Sequence, residues 1–245
     1  ISYLLVNYLP FNSYTIAFDS RQIVLFCLYY LALALPFLAA GLGIGVALQI
    51  SQANSHRVYA ANLLGSAIGV VAGLVMMALV GLPGALILCA IIGLAISLSL
   101  STHWWQLTRI ALGLTIVVGV VTITWLGVLN KRGMSPLGLR LSPYKGLSYA
   151  RQYPGASWVF GAWNAFSRLD VLEQAGTRML PGLSYTYKGD PPPQLGYSID
   201  ADSPQPASLV SPDDFKAAQY LPEAIAYQIK PGARVLILSA GGGLP

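Results

Sequence analysis

With 245 residues, 55% of them hydrophobic and only 9% charged, the chain is too apolar to be disordered or soluble along its whole length. The formal net charge of +5 is modest, and no compact basic run with interleaved aromatics occurs, so nucleic acid is not an expected partner. The two cysteines both lie in apolar segments and imply no disulfide framework or metal site, and the two histidines, without carboxylate or cysteine partners, are weak metal candidates.

Charge divides the chain. Residues 1–130 carry four of the formally charged side chains, Asp19, Arg21, Arg57 and Arg109, and all the others fall in 131–245. The first part reads as a membrane domain with about four transmembrane helices, since only bilayer-spanning segments stay so apolar for so long. Ile1 to Leu9 suits the end of an earlier span or an interfacial segment. The first full span runs from about Gln22 to Ile50, long enough to need a tilt or a kink at Pro36. The second runs from about Val58 to Val80, the third from Pro83 to near Leu100, and Gly81-Leu82-Pro83-Gly84 joins them as a tight turn. The fourth runs from about Leu107 to Leu129. Cys27 and Cys89 read as buried thiols inside these spans. His56 and His103 sit in short loops and read as solvated or interfacial.

Gly41 and Gly45 are spaced four apart, as are Gly65, Gly69 and Gly73, with Ser66 alongside. Small residues at this spacing let another backbone approach. Packing within the chain is the plain expectation, and a docking face for other membrane subunits is the alternative. Trp104 and Trp105 fit an interfacial aromatic belt. No acidic residue lies deep in a span, which argues against an ion-coupled transporter. Lys131 and Arg132 after the last span point to a cytoplasmic soluble part and a cell inner membrane, with the basic cluster Lys131, Arg132, Arg140, Lys145 and Arg151 near lipid headgroups.

Residues 131–156, rich in Gly, Pro, Ser and basic side chains, read as a linker. Residues 157–210 read as a small β-module with strands at Ser157–Trp163, Arg168–Glu173, Leu183–Tyr187 and Leu195–Ile199. Residues 211–245 read as the start of a Rossmann-like domain. A helix is expected over Asp213–Ile229, capped by Ser211 and kinked or split at Pro222. Pro231-Gly232 then turns into a strand over Arg234–Leu238. That strand runs into Ser239-Ala240-Gly241-Gly242-Gly243, as a strand enters a nucleoside-binding loop. A sheet of this kind needs more strands, and the chain starts at Ile1, so a longer protein is expected. Asp200 and Asp202 read as a solvated loop without a role.

Three stretches together carry a resemblance: Ser142-Pro143-Tyr144-Lys145-Gly146-Leu147-Ser148-Tyr149-Ala150, Trp163-Asn164-Ala165-Phe166-Ser167-Arg168-Leu169-Asp170-Val171, and Leu221-Pro222 through Val235 to Gly243. In this order the chain resembles the membrane-bound relatives of spermidine synthase. Val58-Tyr59-Ala60-Ala61-Asn62-Leu63-Leu64-Gly65-Ser66 is similar to a segment that opens one of their spans. The resemblance implies a β-domain packed on a Rossmann-like transferase domain. It also implies S-adenosylmethionine or decarboxylated S-adenosylmethionine as cofactor, bound near Ser239, Gly241 and Gly243, and transfer of an aminopropyl group to a polyamine amine. A tight turn without ligand is the alternative reading of that loop. Four positions depart from the family pattern. Ser239 replaces the first glycine, Lys145 a cofactor-contacting Gln and Asn62 an Asp, while Tyr227-Gln228 falls near a usual His-Glu pair. These departures leave a second reading open: a non-catalytic accessory subunit of a larger membrane complex.

Overall fold

The computed structural model describes residues 2–100, 105–134, 140–174, 177–238 and 241–242. The chain divides into two compact units, Ile1–Val75 with Gly138–Ser142, and Met76–Leu137 with Pro143–Pro245. Three helices are long and apolar enough to cross a membrane, Arg21–Ile50, Gln52–Leu100 and Leu107–Lys131. Most of their large apolar side chains are uncovered by the chain itself, as Phe37, Leu64, Val70 and Val121 illustrate. Such surfaces suit hydrocarbon and would be costly in water.

In the first unit, α1 (Ser2–Tyr8) is followed by α2 (Arg21–Ile50) and the start of α3 (Ser55–Leu100). Seven residues of α1 rise only about 10 Å, well short of a bilayer core. α1 packs on α2, and Phe11 bridges the turn to Phe26 and Tyr29 with ring centroids 5.7 and 5.6 Å apart. Gln22 Oε1 accepts from Asn12 N at 2.9 Å, and Asn12 Oδ1 accepts from Tyr14 N at 3.0 Å. The turn into α2 is therefore held by side chains where backbone partners run out. Pro36 lies inside α2; it has no N–H to donate to Ala32, whose small side chain is buried.

Two expectations for the spans change. The row Gly41, Gly45, Gly65, Gly69 and Gly73 meets no neighbour: a Cβ at any of them would have nothing within 4 Å. Among the described residues, no internal packing contact meets these glycines. Ser66 is exposed too, and its Oγ donates back to Asn62 O at 2.8 Å, the usual way a helix absorbs a hydroxyl in an apolar setting. Cys27 and Cys89 are exposed on their helices rather than buried, because few neighbouring helices cover these faces. His56 is exposed, as read from the sequence; His103 and Trp104 lie outside the described residues.

The second unit begins within α3. As one straight rod, the 46 residues of α3 would be more than twice the hydrocarbon thickness. The helix is broken at Gly81, with φ 73° and ψ 171°, and Val80, Gly81, Pro83 and Gly84 are buried. The break falls where the turn between second and third spans is expected. α4 (Trp105–Lys131) packs along the far part of α3. A Cβ on Gly119 would meet Ile91 Cγ2 at 3.0 Å, and one on Gly84 would meet Leu126 Cδ1 at 3.5 Å. Moving along α4 therefore runs backwards along α3, so the two are antiparallel. Small residues sit at this interface, as close helix packing in membranes requires.

After α4 come α5 (Gly146–Ala150) and four strands: β1 (Ser157–Trp163), β2 (Arg168–Glu173), β3 (Gln194–Ile199) and β4 (Gln205–Ser208). They form one antiparallel sheet in the order β1-β2-β3-β4, with Gly161 opposite Asp170, Asp170 opposite Ser198 and Gly196 opposite Pro206. The strands expected at Ser157–Trp163 and Arg168–Glu173 match, and that at Leu195–Ile199 gains Gln194. β4 is a strand that the sequence reading did not single out; Pro206 is tolerated because β4 is the last strand of the sheet. Leu147, Ala150, Leu172, Ala217 and Leu221 are buried in this module.

Leu183–Tyr187 is not a strand but lies in two consecutive turns, one at Pro181-Gly182 and one at Tyr185-Thr186. Its backbone bonds outward, Leu183 N to Leu180 O at 3.1 Å and Ser184 N to Tyr220 O at 2.9 Å, make no ladder. The expected helix over Asp213–Ile229 is broken into 3₁₀ turns at Pro212–Asp214 and Lys216–Tyr220, then α6 (Ala224–Ile229), with Pro222 at the split. Arg234–Leu238 forms no strand. It pairs with no described strand, and Val235, Leu236, Ile237 and Leu238 are exposed. Apolar character alone does not make a strand when no ladder partner is present.

Candidate functional site

Of the residues expected at a cofactor loop, Ser239 and Gly243 lie outside the described residues. Gly241 is in a turn with φ +58°, a left-handed conformation that glycine adopts without strain. Gly242 backs onto β4, so that a Cβ there would collide with the Pro206 carbonyl and the Ala207 backbone. Tyr144 and Lys145 precede α5, with Lys145 at its start and extended. Asp200 and Asp202 shape a turn: Asp200 Oδ1 accepts from Arg168 N at 2.9 Å, and Asp202 Oδ1 accepts from Ser203 N at 2.8 Å.

The side chains that the sheet does bring together centre on Asp170. Alternation along β2 puts Arg168, Asp170 and Leu172 on one face, and Asp170 is 1% exposed. A carboxylate there must find donors. Arg168 supplies a fork, Nε to Oδ2 at 2.8 Å and Nη2 to Oδ1 at 3.0 Å. Trp158 Nε1 donates to Oδ1 at 3.0 Å, and Arg151 Nη2 stands 3.9 Å from the same oxygen. Gly161 makes room: a Cβ there would meet Asp170 Oδ1 at 2.8 Å and the Trp158 ring at 2.7 Å. The Arg168 guanidinium lies 5.8 Å from the centre of the Trp163 ring. With donors on both oxygens, Asp170 organises the side chains around it.

Next to this cluster lies the junction with the helices. Asn130 is 6% exposed at the end of α4. Its Oδ1 accepts from Trp163 N at 3.1 Å, and its Nδ2 donates to Trp163 O at 3.4 Å and Ala78 O at 3.2 Å. Gly133 O accepts from Gly161 N at 3.1 Å. The Trp163 ring covers Gly81, where a Cβ would meet its Cδ1 at 2.7 Å; Trp163 Nε1 is buried with no hydrogen-bond partner among the described residues. One end of β1 is thus fixed both to the end of α4 and to the break in α3. Sequence reading placed neither Asn130 nor Asp170 in a site. The available signals were an Asn closing an apolar span and an acid at a core-facing strand position.

Among the described residues, no group of three or more His, Cys, Asp or Glu side chains is placed to hold a metal ion. No protein-family model, curated protein or solved structure matches the chain.

Proposed function

We propose that the chain is the membrane anchor and β-module of a transferase that resembles spermidine synthase and uses S-adenosylmethionine or its decarboxylated form. In this reading Ser239, Gly241 and Gly243 belong to the nucleoside loop, in the cell inner membrane with the β-module on the cytoplasmic side. The observation that carries it is the seat of the glycine turn. Gly241 takes a left-handed φ, and Gly242 lies against the β4 backbone, an approach a larger residue would prevent. A nucleoside loop beside a small β-sheet is the arrangement the resemblance implies. When bound, the cofactor supplies an electrophilic sulfonium; the chain's own part is to present backbone N–H groups at a turn free of side chains. Calorimetric titration of the full-length protein with S-adenosylmethionine and with the decarboxylated form tests this. Heat with either supports the reading; none with either, from folded protein, removes the cofactor.

A second reading, an accessory subunit of a larger membrane complex, is favoured by one observation. The glycine row on α2 and α3 meets nothing within 4 Å, which leaves that face open to another helix. Partners that leave a detergent-solubilised Gly69→Leu variant, while its own melting stays unchanged, would support it.

A further inference from the structure

α4 is an apolar helix that ends at Lys131, and Arg132 follows; both side chains are exposed. A spanning helix of this kind ends at the edge of the hydrocarbon, in a headgroup layer on the order of 5–7 Å deep. The β-module begins at that depth, because Gly133 and Asn130 bond directly to Gly161 and Trp163 of β1. One strand further on, opposite Gly161, is Asp170, and Arg151 reaches toward it with 44% of its side chain exposed. Arg168 already engages both Asp170 oxygens, so the Arg151 charge is left in excess. Among the described residues, neither Lys131 nor Arg132 has a carboxylate within ion-pair reach. Trp158, which donates to the same Asp170 oxygen that Arg151 approaches, is 39% exposed, an amphipathic ring of the kind that settles among headgroups.

We propose that Lys131, Arg132 and Arg151 form one binding surface for the phosphates of anionic lipid headgroups, in which the β-module supplies a cation that the helix flank alone lacks. The surface stands whether or not the glycine loop binds a nucleoside. A basic side chain at a membrane surface strengthens attraction to anionic lipid by about fivefold.

The test uses full-length protein in bilayers of phosphatidylcholine mixed with phosphatidylglycerol, extracted as polymer-bounded patches whose lipid is counted by mass spectrometry. Wild-type patches are expected to hold several-fold more phosphatidylglycerol than the bulk bilayer. Arg151→Gln lowers that enrichment, Arg151→Lys keeps it, and Lys131→Gln/Arg132→Gln/Arg151→Gln returns it to the bulk ratio. No enrichment in the wild type overturns the surface, and enrichment unchanged in Arg151→Gln overturns the part given to the β-module. If the triple variant does not fold, the wild type still decides. Enrichment that survives about 1 M salt, where screening acts within ~3 Å, rules out attraction to exposed cations. Enrichment abolished by millimolar inorganic phosphate at constant ionic strength would assign the site to free phosphate and overturn the lipid.

Discussion

The side-chain amide of Asn130 closes on both backbone groups of Trp163, accepting from its N at 3.1 Å and donating to its O at 3.4 Å. An asparagine amide carries the same donor and acceptor as a peptide group, so α4 ends in one more rung for β1. The same nitrogen reaches Ala78 O at 3.2 Å, in the turn of α3 just before the break. Three elements that are distant in sequence therefore meet on one buried amide.

Asn130→Leu keeps the volume and removes every one of these bonds. Buried backbone groups left without a partner cost about 1–3 kcal/mol each. The variant is expected to lose about 2–4 kcal/mol against denaturant, followed by tryptophan emission, since Trp163 sits at the junction. An unfolding curve that overlays the wild type would show that the clasp contributes nothing.

Asp170→Asn should be costly for a different reason. It strips the counter-charge from Arg168, whose side chain is only 19% exposed. Breaking a largely buried pair from one side is expected to cost about 2–4 kcal/mol, less than a fully buried pair because Arg168 retains some solvent. The double variant Asp170→Asn/Arg168→Gln leaves no orphan charge and should recover part of that loss. Chemical denaturation of the wild type, of Asp170→Asn, of Arg168→Gln and of the double variant reads the coupling directly. If the double change merely adds the two single costs, the pair is not the organising contact argued above.

What the sequence made legible follows from what each element needs. Spans show through because their apolar run is a property of the segment alone, and the turn at Gly81–Gly84 shows through because Gly and Pro punctuate any helix. β1 and β2 were readable since alternation reports one covered face. The strand expected at Arg234–Leu238 failed because its apolar run carries no information about a partner for its ladder. β4 was hidden by Pro206, which an edge strand accommodates. The glycine row was legible as small residues, but periodicity cannot say which neighbour meets them, and none does among the described residues. Asn130 and Asp170 carry their meaning only through contacts across 33 and 12 positions of sequence, to Trp163 and Trp158.

The glycines of α3 should divide sharply on substitution. Gly81 combines φ 73° with ψ 171°, a region open almost only to glycine, and the Trp163 ring leaves no room for a Cβ. Gly81→Ala is expected to cost about 1–3 kcal/mol in backbone strain alone, with the ring displaced as well. Gly69 is helical with open space beside it, so Gly69→Ala should leave melting of the isolated chain unchanged or raise it slightly. Differential scanning calorimetry of both in one detergent decides the matter. Equal melting points would contradict the assigned geometry at Gly81.

Gly81, Asn130 and Trp163 are in mutual contact around one buried amide and one indole. The break in α3 and the β-module therefore lie at the same face of any membrane the helices cross. Residues 55–80 of α3 are long enough to cross a bilayer core. In a background with Cys27 and Cys89 changed to Ser, a cysteine at Leu82 and one at Lys145 should both label with an impermeant maleimide from a single side of sealed vesicles. A cysteine at Gln52 should label from the opposite side. Under the orientation proposed from the Lys131-Arg132 flank, that first side would be the cytoplasmic one. If Leu82 and Gln52 label together, α3 does not carry the chain across and returns, and the break at Gly81 has been assigned the wrong role.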